Sequence, residues 1–212
     1  MNKINNNLST SDKIIRASLR KILEKELKIY RKQEHEAEIF EELGVRHGTA
    51  RIDFAIVNGV MCGYEIKSDR DTLERLPEQV KEFNEVFDKL TLVVGKRYLY
   101  QAIYEIPDWW GIMLAKENGR GKIIIQTIRE PSQNTMQKKI SVARLLWREE
   151  ALKILEKRKE ADSVRYKPRE FIYQKLVEIF SQDFNELKKH VSSTLISREG
   201  WRSDQQLTTY GG

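Results

Sequence analysis

The sequence predicts a mixed α/β fold, with elements in the order α-β-β-β-α-β, then further sheet, then a helical C-terminal part. Three observations predict it. Apolar residues recur at helical spacing near the start and again beyond residue 140. Short, β-rich runs bounded by glycine fill the middle. Asn58-Gly59 stands between two such runs, a strong local signal for a β-hairpin.

In chain order, Thr10, Ser11 and Asp12 can cap a helix over about 12–30, whose apolar stripe is Ile15, Leu19, Ile22, Leu23 and Leu27. Glu38 to Leu43 reads as a short strand closed by Gly44 and Gly48. Ile52–Val57 and Val60–Lys67 form the hairpin. Pro77 belongs in a first helical turn, so a helix is predicted over about 77–89, with Val80, Phe83, Val86 and Phe87 inward. Leu90–Val94 is a fully apolar strand ended by Gly95. A short helix near Tyr98–Tyr104 stops before Pro107, and Trp110–Ala115 with Lys122–Ile128 makes a second hairpin turning at Asn118-Gly119-Arg120-Gly121. Glu130–Gln137 reads as a linker. Two long amphipathic helices, about 140–160 and 168–196, are predicted after it, the second opened by Pro168. The organisation expected is a core over 1–130, a basic helical extension over 138–198 and a flexible tail over 199–212.

The chain has 212 residues, 40% hydrophobic and 33% charged, enough to bury a core beneath an ionic surface. No apolar run approaches the ~20 residues that cross a bilayer. Met1–Thr10 is polar, with no apolar segment of a secretion signal. The single Cys62 excludes an internal disulfide framework, and His35, His47 and His190 match no metal-ligand spacing. A soluble, cytoplasmic protein is expected. The net charge of +6 points to a polyanionic partner. Its distribution is uneven: +2 over residues 1–50, −1 over 51–137 and +5 over 138–212.

The residues that carry chemistry are Asp53, Glu65 and Lys67. Glu-x-Lys occurs three times, and only Glu65/Lys67 falls on a predicted strand, where residues i and i+2 share a face. Two neighbouring carboxylates repel each other unless a hard cation such as Mg²⁺ lies between them. Such a metal polarises a phosphoryl oxygen and activates water, while a lysine beside it offsets developing charge. This set suits metal-assisted phosphodiester hydrolysis. The alternative is a solvated strand face with a weak ion pair.

Arg51-Ile52-Asp53-Phe54-Ala55, Gly63-Tyr64-Glu65-Ile66-Lys67-Ser68-Asp69, Asp71-Thr72-Leu73 and Arg75-Leu76-Pro77-Glu78-Gln79 resemble the PD-(D/E)XK nuclease superfamily, in a small bacterial and phage branch. The resemblance covers roughly residues 10–115. It implies a restriction-endonuclease-like core, a mixed sheet flanked by helices with a C-terminal helical extension. It implies Asp53 and Glu65 as metal ligands, Lys67 as the catalytic lysine and Gln79 beside the site; Phe83 stands where many branches have tyrosine. A further upstream acid is usual, with Glu42 the first choice and Asp12 and Glu38 the others.

The function so implied is a Mg²⁺-dependent deoxyribonuclease, Mn²⁺ substituting, acting on DNA in repair, phage metabolism or defence against foreign DNA. The C-terminal helices would supply positive charge to the backbone and a surface for homodimerisation or a partner protein. The alternative is a non-cleaving nucleic-acid-binding subunit or adaptor of a larger complex.

Register sets a condition. A strict two-residue Asn58-Gly59 turn would pair Asp53 with Tyr64 and put Asp53 and Glu65 on opposite faces. The site therefore requires a three-residue loop, a bulge, for which Gly63 is a plausible place, or a bend near Asp53. Elsewhere, Ser68, Asp69 and Asp71 read as a helix-cap loop, Trp109 and Trp110 as core, Cys62 as a small core side chain and His47 as a surface-loop residue.

Overall fold

The structure, a computed structural model, describes residues 10–33, 35–118 and 121–198. The stretch before Thr10, the turn residues 119 and 120, the tail expected over 199–212 and the side chain of His47 lie outside the described residues. Among the described residues are seven α-helices and six strands. They run α1 (Asp12–Lys32), β1 (Glu38–Val45), β2 (Ala50–Val57), β3 (Met61–Lys67), α2 (Leu76–Asn84), β4 (Lys89–Gly95), α3 (Leu99–Glu105), β5 (Gly111–Glu117) and β6 (Ile123–Arg129). Then come α4 (Lys139–Ala143), α5 (Arg148–Lys157), α6 (Arg169–Ile179) and α7 (Phe184–Ile196). The first six elements follow the predicted α-β-β-β-α-β order.

The strands form one mixed sheet in the order β1-β2-β3-β4-β5-β6. β3, β4 and β5 are parallel, joined through α2 and α3, and the other pairs are antiparallel. Successive right-handed crossovers advancing in one direction place their helices on the same face. The burial agrees: α2 and α3 supply Leu76, Val80, Phe83 and Ala102 to a single apolar cluster with Ile52, Ala55, Leu92 and Val94. α1 covers the opposite face, its Ile15, Leu19 and Leu23 packing on Phe54, Ile56, Tyr64, Ile66 and Val93. The four-residue spacing of that stripe explains why the first helix was legible from its sequence.

Three expectations are corrected. α2 ends at Asn84 rather than near 89, since Val86 and Phe87 pack into the core from the turn that follows. Residues 130–137 are not a free linker: buried Asn134 donates to the carbonyls of Asn84 and Phe87, both at 2.7 Å, and Gln137 donates to that of Val86. The two long C-terminal helices are four shorter ones. α5 restarts where the Glu150 carboxylate accepts the Trp147 N–H at 2.7 Å, and α7 where Asp183 caps it by accepting the Glu186 N–H at 2.9 Å. Periodicity survives such a break because the apolar stripe continues across it. These helices share the α2-side cluster through Val142, Leu155, Leu176, Leu187 and Val191. No described helix is long and apolar enough to cross a membrane.

Candidate active site

The hairpin loop sets the geometry. Val57 pairs with Met61 and Phe54 with Tyr64, so Asn58, Gly59 and Val60 form a three-residue loop. Asn58 closes it by accepting the Val60 N–H on its side-chain oxygen at 3.1 Å, and Gly59 takes φ +92°, a region glycine enters without steric cost. This odd-length loop meets the parity condition, since one more step of the same register would set Asp53 opposite Glu65. Gly63 is not a bulge; it pairs regularly with Ala55, and a Cβ there would lie 2.4 Å from the Ile52 side chain.

The β2–β3 ladder stops at Phe54 and Tyr64. Beyond it the Asp53 carboxylate takes over the bonding, its Oδ2 accepting the Ile66 N–H at 2.6 Å. On β1, Glu42 adopts φ +52°, which inverts the side-chain alternation. Phe40 and Leu43 both join the α2-side cluster, while Glu41 and Glu42 both reach α1, pairing with Arg20 and Arg16.

Arg16 is the hub on the α1 side. Its Nη2 lies 2.5 Å from Asp53 Oδ1 and 2.8 Å from Glu42 Oε1, its Nε lies 3.4 Å from Asp12 Oδ2, and its guanidinium stacks 5.3 Å from the Phe54 ring centre. On the α2 side, buried Glu65 Oε1 accepts from Lys67 Nζ at 2.8 Å and from Gln79 Nε2 at 2.6 Å, and Gln79 Oε1 accepts a second bond from Lys67 Nζ at 2.8 Å. Glu65 Oε2 is buried and has no hydrogen-bond partner.

Burial pushes the Asp53 carboxyl up to about 6 against the opposing pull of Arg16 and the Ile66 N–H. Burial, then the charge of Asp53, pushes Glu65 up to about 8, with Lys67 and Gln79 opposing. The two carboxyls open into a cleft of about 340 Å³ that Asp12, Glu42, Arg51, Asp71, Arg75 and Gln79 also line. It lies at the carboxyl end of β3, a parallel strand, where such sheets usually place a ligand site.

The profile of the family described as Bacteriophage P4 protein cII matches residues 10–210. The chain belongs to that family. Protein cII of Enterobacteria phage P4 is 35% identical over 92 residues, which is 42% of this chain and 35% of that relative. The matched stretch thus spans about a third of the relative's length. No solved structure matches. The P4 cII family match takes in every cleft residue from Asp12 to Gln79 and all seven helices.

Of the three upstream acids considered, Glu42 and Asp12 reach the cleft through Arg16, whereas Glu38 pairs with Arg31 at 2.9 Å. Phe83 is fully buried in the core. Ser68 and Asp71 close their own loop, the Asp71 carboxylate accepting the Ser68 N–H at 2.7 Å. Asp69 ties that loop to both neighbours, accepting from Thr10 Oγ1 at 2.7 Å and from the Arg97 N–H at 2.8 Å. Burial raises the Cys62 thiol to about 12, in keeping with a packing role. Trp110 is fully buried, its Nε1 donating to Asn84 at 2.8 Å. Sequence reasoning missed Arg16, Arg51 and Arg75. The signal for Arg16 was its position four residues after Asp12, on the helix face that meets the sheet's acids.

Among the described residues no three His, Cys, Asp or Glu side chains form a ready metal-binding group. The cleft instead offers two carboxylates, one with a buried, unpartnered oxygen. That donor set fits Mg²⁺, which is commonly held by one or two carboxylates and completed by water and substrate phosphate.

Proposed function

We propose that this protein is a metal-dependent nuclease that hydrolyses phosphodiester bonds of DNA, built on a restriction-endonuclease-like core. The observation that carries the reading is the unpartnered Glu65 Oε2, buried beside Asp53 and next to a lysine fixed by two hydrogen bonds. An ordinary strand face would leave none of these groups buried. The α-β-β-β-α-β order supports the same core. Membership of a phage-named family favours phage metabolism among the processes such an enzyme serves.

Asp53 and Glu65 would hold Mg²⁺, which would supply a Lewis acid for the phosphoryl oxygen and a water of lowered pKa. The chain's own residues do the rest. Gln79 spans Glu65 and Lys67, holding the ammonium and the carboxylate against each other. Two of the three Lys67 N–H donors are committed, which leaves the third to bind a phosphoryl oxygen as charge builds there. Arg16 holds Asp53 from behind, with its other acidic contacts on Glu42 and Asp12.

The test is cleavage of supercoiled and linear DNA with Mg²⁺, Mn²⁺ or EDTA. Metal-dependent cutting by the wild type, lost in both Lys67→Ala and Asp53→Asn, is expected. Arg16 also favours a second reading, a non-cleaving DNA-binding subunit, because its guanidinium already offsets Asp53 and Glu42 without a metal. Salt-sensitive DNA binding with no cutting under any metal would select that reading.

A further inference from the structure

Ten of the arginines among the described residues pair with an acidic side chain, Arg16 and Arg144 among them, and Arg97 binds the Asp69 carbonyl. The side chains of Arg51, Arg70, Arg75 and Arg169 make no ion pair or hydrogen bond there. Arg51 and Arg75 line the cleft, and Arg70 sits beside Asp71, which also lines it. All three are exposed.

The chain geometry brings Arg51 and Arg75 to one mouth. Arg51 precedes Asp53 by two residues on β2, and Arg75 precedes Gln79 by four at the entrance to α2. The cleft's own acids are spoken for: Asp53 and Glu42 by Arg16, Glu65 by Lys67 and Gln79, Asp71 by the Ser68 N–H. Two exposed rim guanidiniums therefore stand at the mouth of an acidic cleft without an ion pair to any of its acids among the described residues. A guanidinium fork matches a phosphate and stays charged at any working pH.

We propose that Arg51 and Arg75 form a phosphate clamp, gripping the backbone phosphates on either side of the one presented to Lys67. This deepens the nucleic-acid reading of the cleft and rests on it. It assigns the phosphate contacts to the cleft rim instead of to the C-terminal helices. It also gives the site a way to draw a polyanion toward its own carboxylates, since the scissile phosphate would be repelled if it approached alone. Arg70 flanks the clamp and adds charge without being part of it.

The experiment measures affinity for a short DNA duplex across a series of salt concentrations, in EDTA and again with Ca²⁺. Each of Arg51→Ala and Arg75→Ala should weaken binding and reduce the log-affinity against log-salt slope by about 1. Arg51→Lys should keep the slope while losing affinity, as charge is retained and the fork is not. Arg169→Ala, the remaining unpaired arginine, should match the wild type. Thermal melts identify any variant that misfolds, and Arg51→Lys and Arg75→Lys then carry the comparison. A salt-dependent wild type whose slope is untouched by Arg51→Ala and Arg75→Ala, or is equally reduced by Arg169→Ala, overturns the clamp alone. A wild type with no salt-dependent binding in either buffer overturns both the clamp and the nucleic-acid reading.

Discussion

The cleft and the C-terminal helices are both heavily charged, and they handle that charge in opposite ways. Residues 138–212 hold +5 of the net charge, yet Arg144 meets Glu170 at 2.5 Å, Arg165 meets Glu156 at 2.7 Å and Arg198 meets Glu150 at 2.6 Å. Lys188 reaches across to buried Asp88 at 2.7 Å. In the cleft, buried Glu65 lies beside half-buried Asp53, and among the described residues one Glu65 oxygen has no hydrogen-bond partner and the two rim arginines pair with no acid. A segment's charge total therefore does not locate a binding surface. A buried group without a partner, such as Glu65 Oε2, is the better pointer, because leaving it so costs stability that a ligand can restore.

The largest expected effect divides the two regions by what they lose. Lys67→Ala should lower DNA cleavage per folded molecule by at least about 100-fold, the scale of removing one fixed donor to a developing negative charge, and should also lower the urea-unfolding midpoint, because it strips the cation from buried Glu65. Cutting retained at wild-type rate would remove Lys67 from the mechanism. Lys188→Ala should lower stability without touching the chemistry. It strips the partner from Asp88, which is 2% exposed and also accepts the Met61 N–H at 2.8 Å. Breaking a buried pair from one side costs about 3 kcal/mol or more, so the urea midpoint should fall while cleavage per folded molecule is unchanged. If Lys188→Ala lowered cleavage and spared stability, the division between the regions would be wrong.

The same contrast explains what the sequence revealed. Asp53, Glu65 and Lys67 were legible because a strand has period two, and the need for an odd-length loop followed from counting along it. The three-residue loop and the splay at Asp53 meet that need. Gln79 was recognisable only by resemblance, as nothing in helical periodicity sets it apart from a surface glutamine. Arg16 offered only its four-residue spacing from Asp12, and Arg51 and Arg75 offered nothing, since in a chain with 33% charged residues an arginine stands out only once the fold shows what it lines. The breaks between α4, α5, α6 and α7 were hidden for a related reason: the apolar stripe carries on, and the caps that interrupt it depend on single side chains such as Glu150 and Asp183.

A smaller effect probes the stored repulsion directly. Burial pushes the Asp53 and Glu65 carboxyls up to about 6 and about 8, above their ordinary values of 3.8 and 4.5. Across that window the native state binds more protons than the unfolded chain, so stability falls as pH rises. In metal-free buffer the wild-type urea midpoint should drop between about pH 5 and pH 8, and Glu65→Gln, which cannot ionise, should show a shallower drop. Added Mg²⁺ should restore more midpoint at pH 8 than at pH 5. Equal pH slopes for wild type and Glu65→Gln would mean that the pair is solvated and stores nothing.

The smallest effect belongs to the paired surface of the helical layer. Arg144 and Glu170 are both partly exposed, at 26% and 37%. An ion pair of that kind contributes about 0–1 kcal/mol. Arg144→Ala should therefore barely move the urea midpoint. It should also leave the salt slope of DNA binding where it was, because a guanidinium already matched by a carboxylate gives up that partner before it can take a phosphate. A slope reduced by about 1 in Arg144→Ala would show that pairing with an acid does not withdraw an arginine from DNA. The helical layer would then have to be counted as part of the binding surface, and the contrast between the two regions would lie in stability alone.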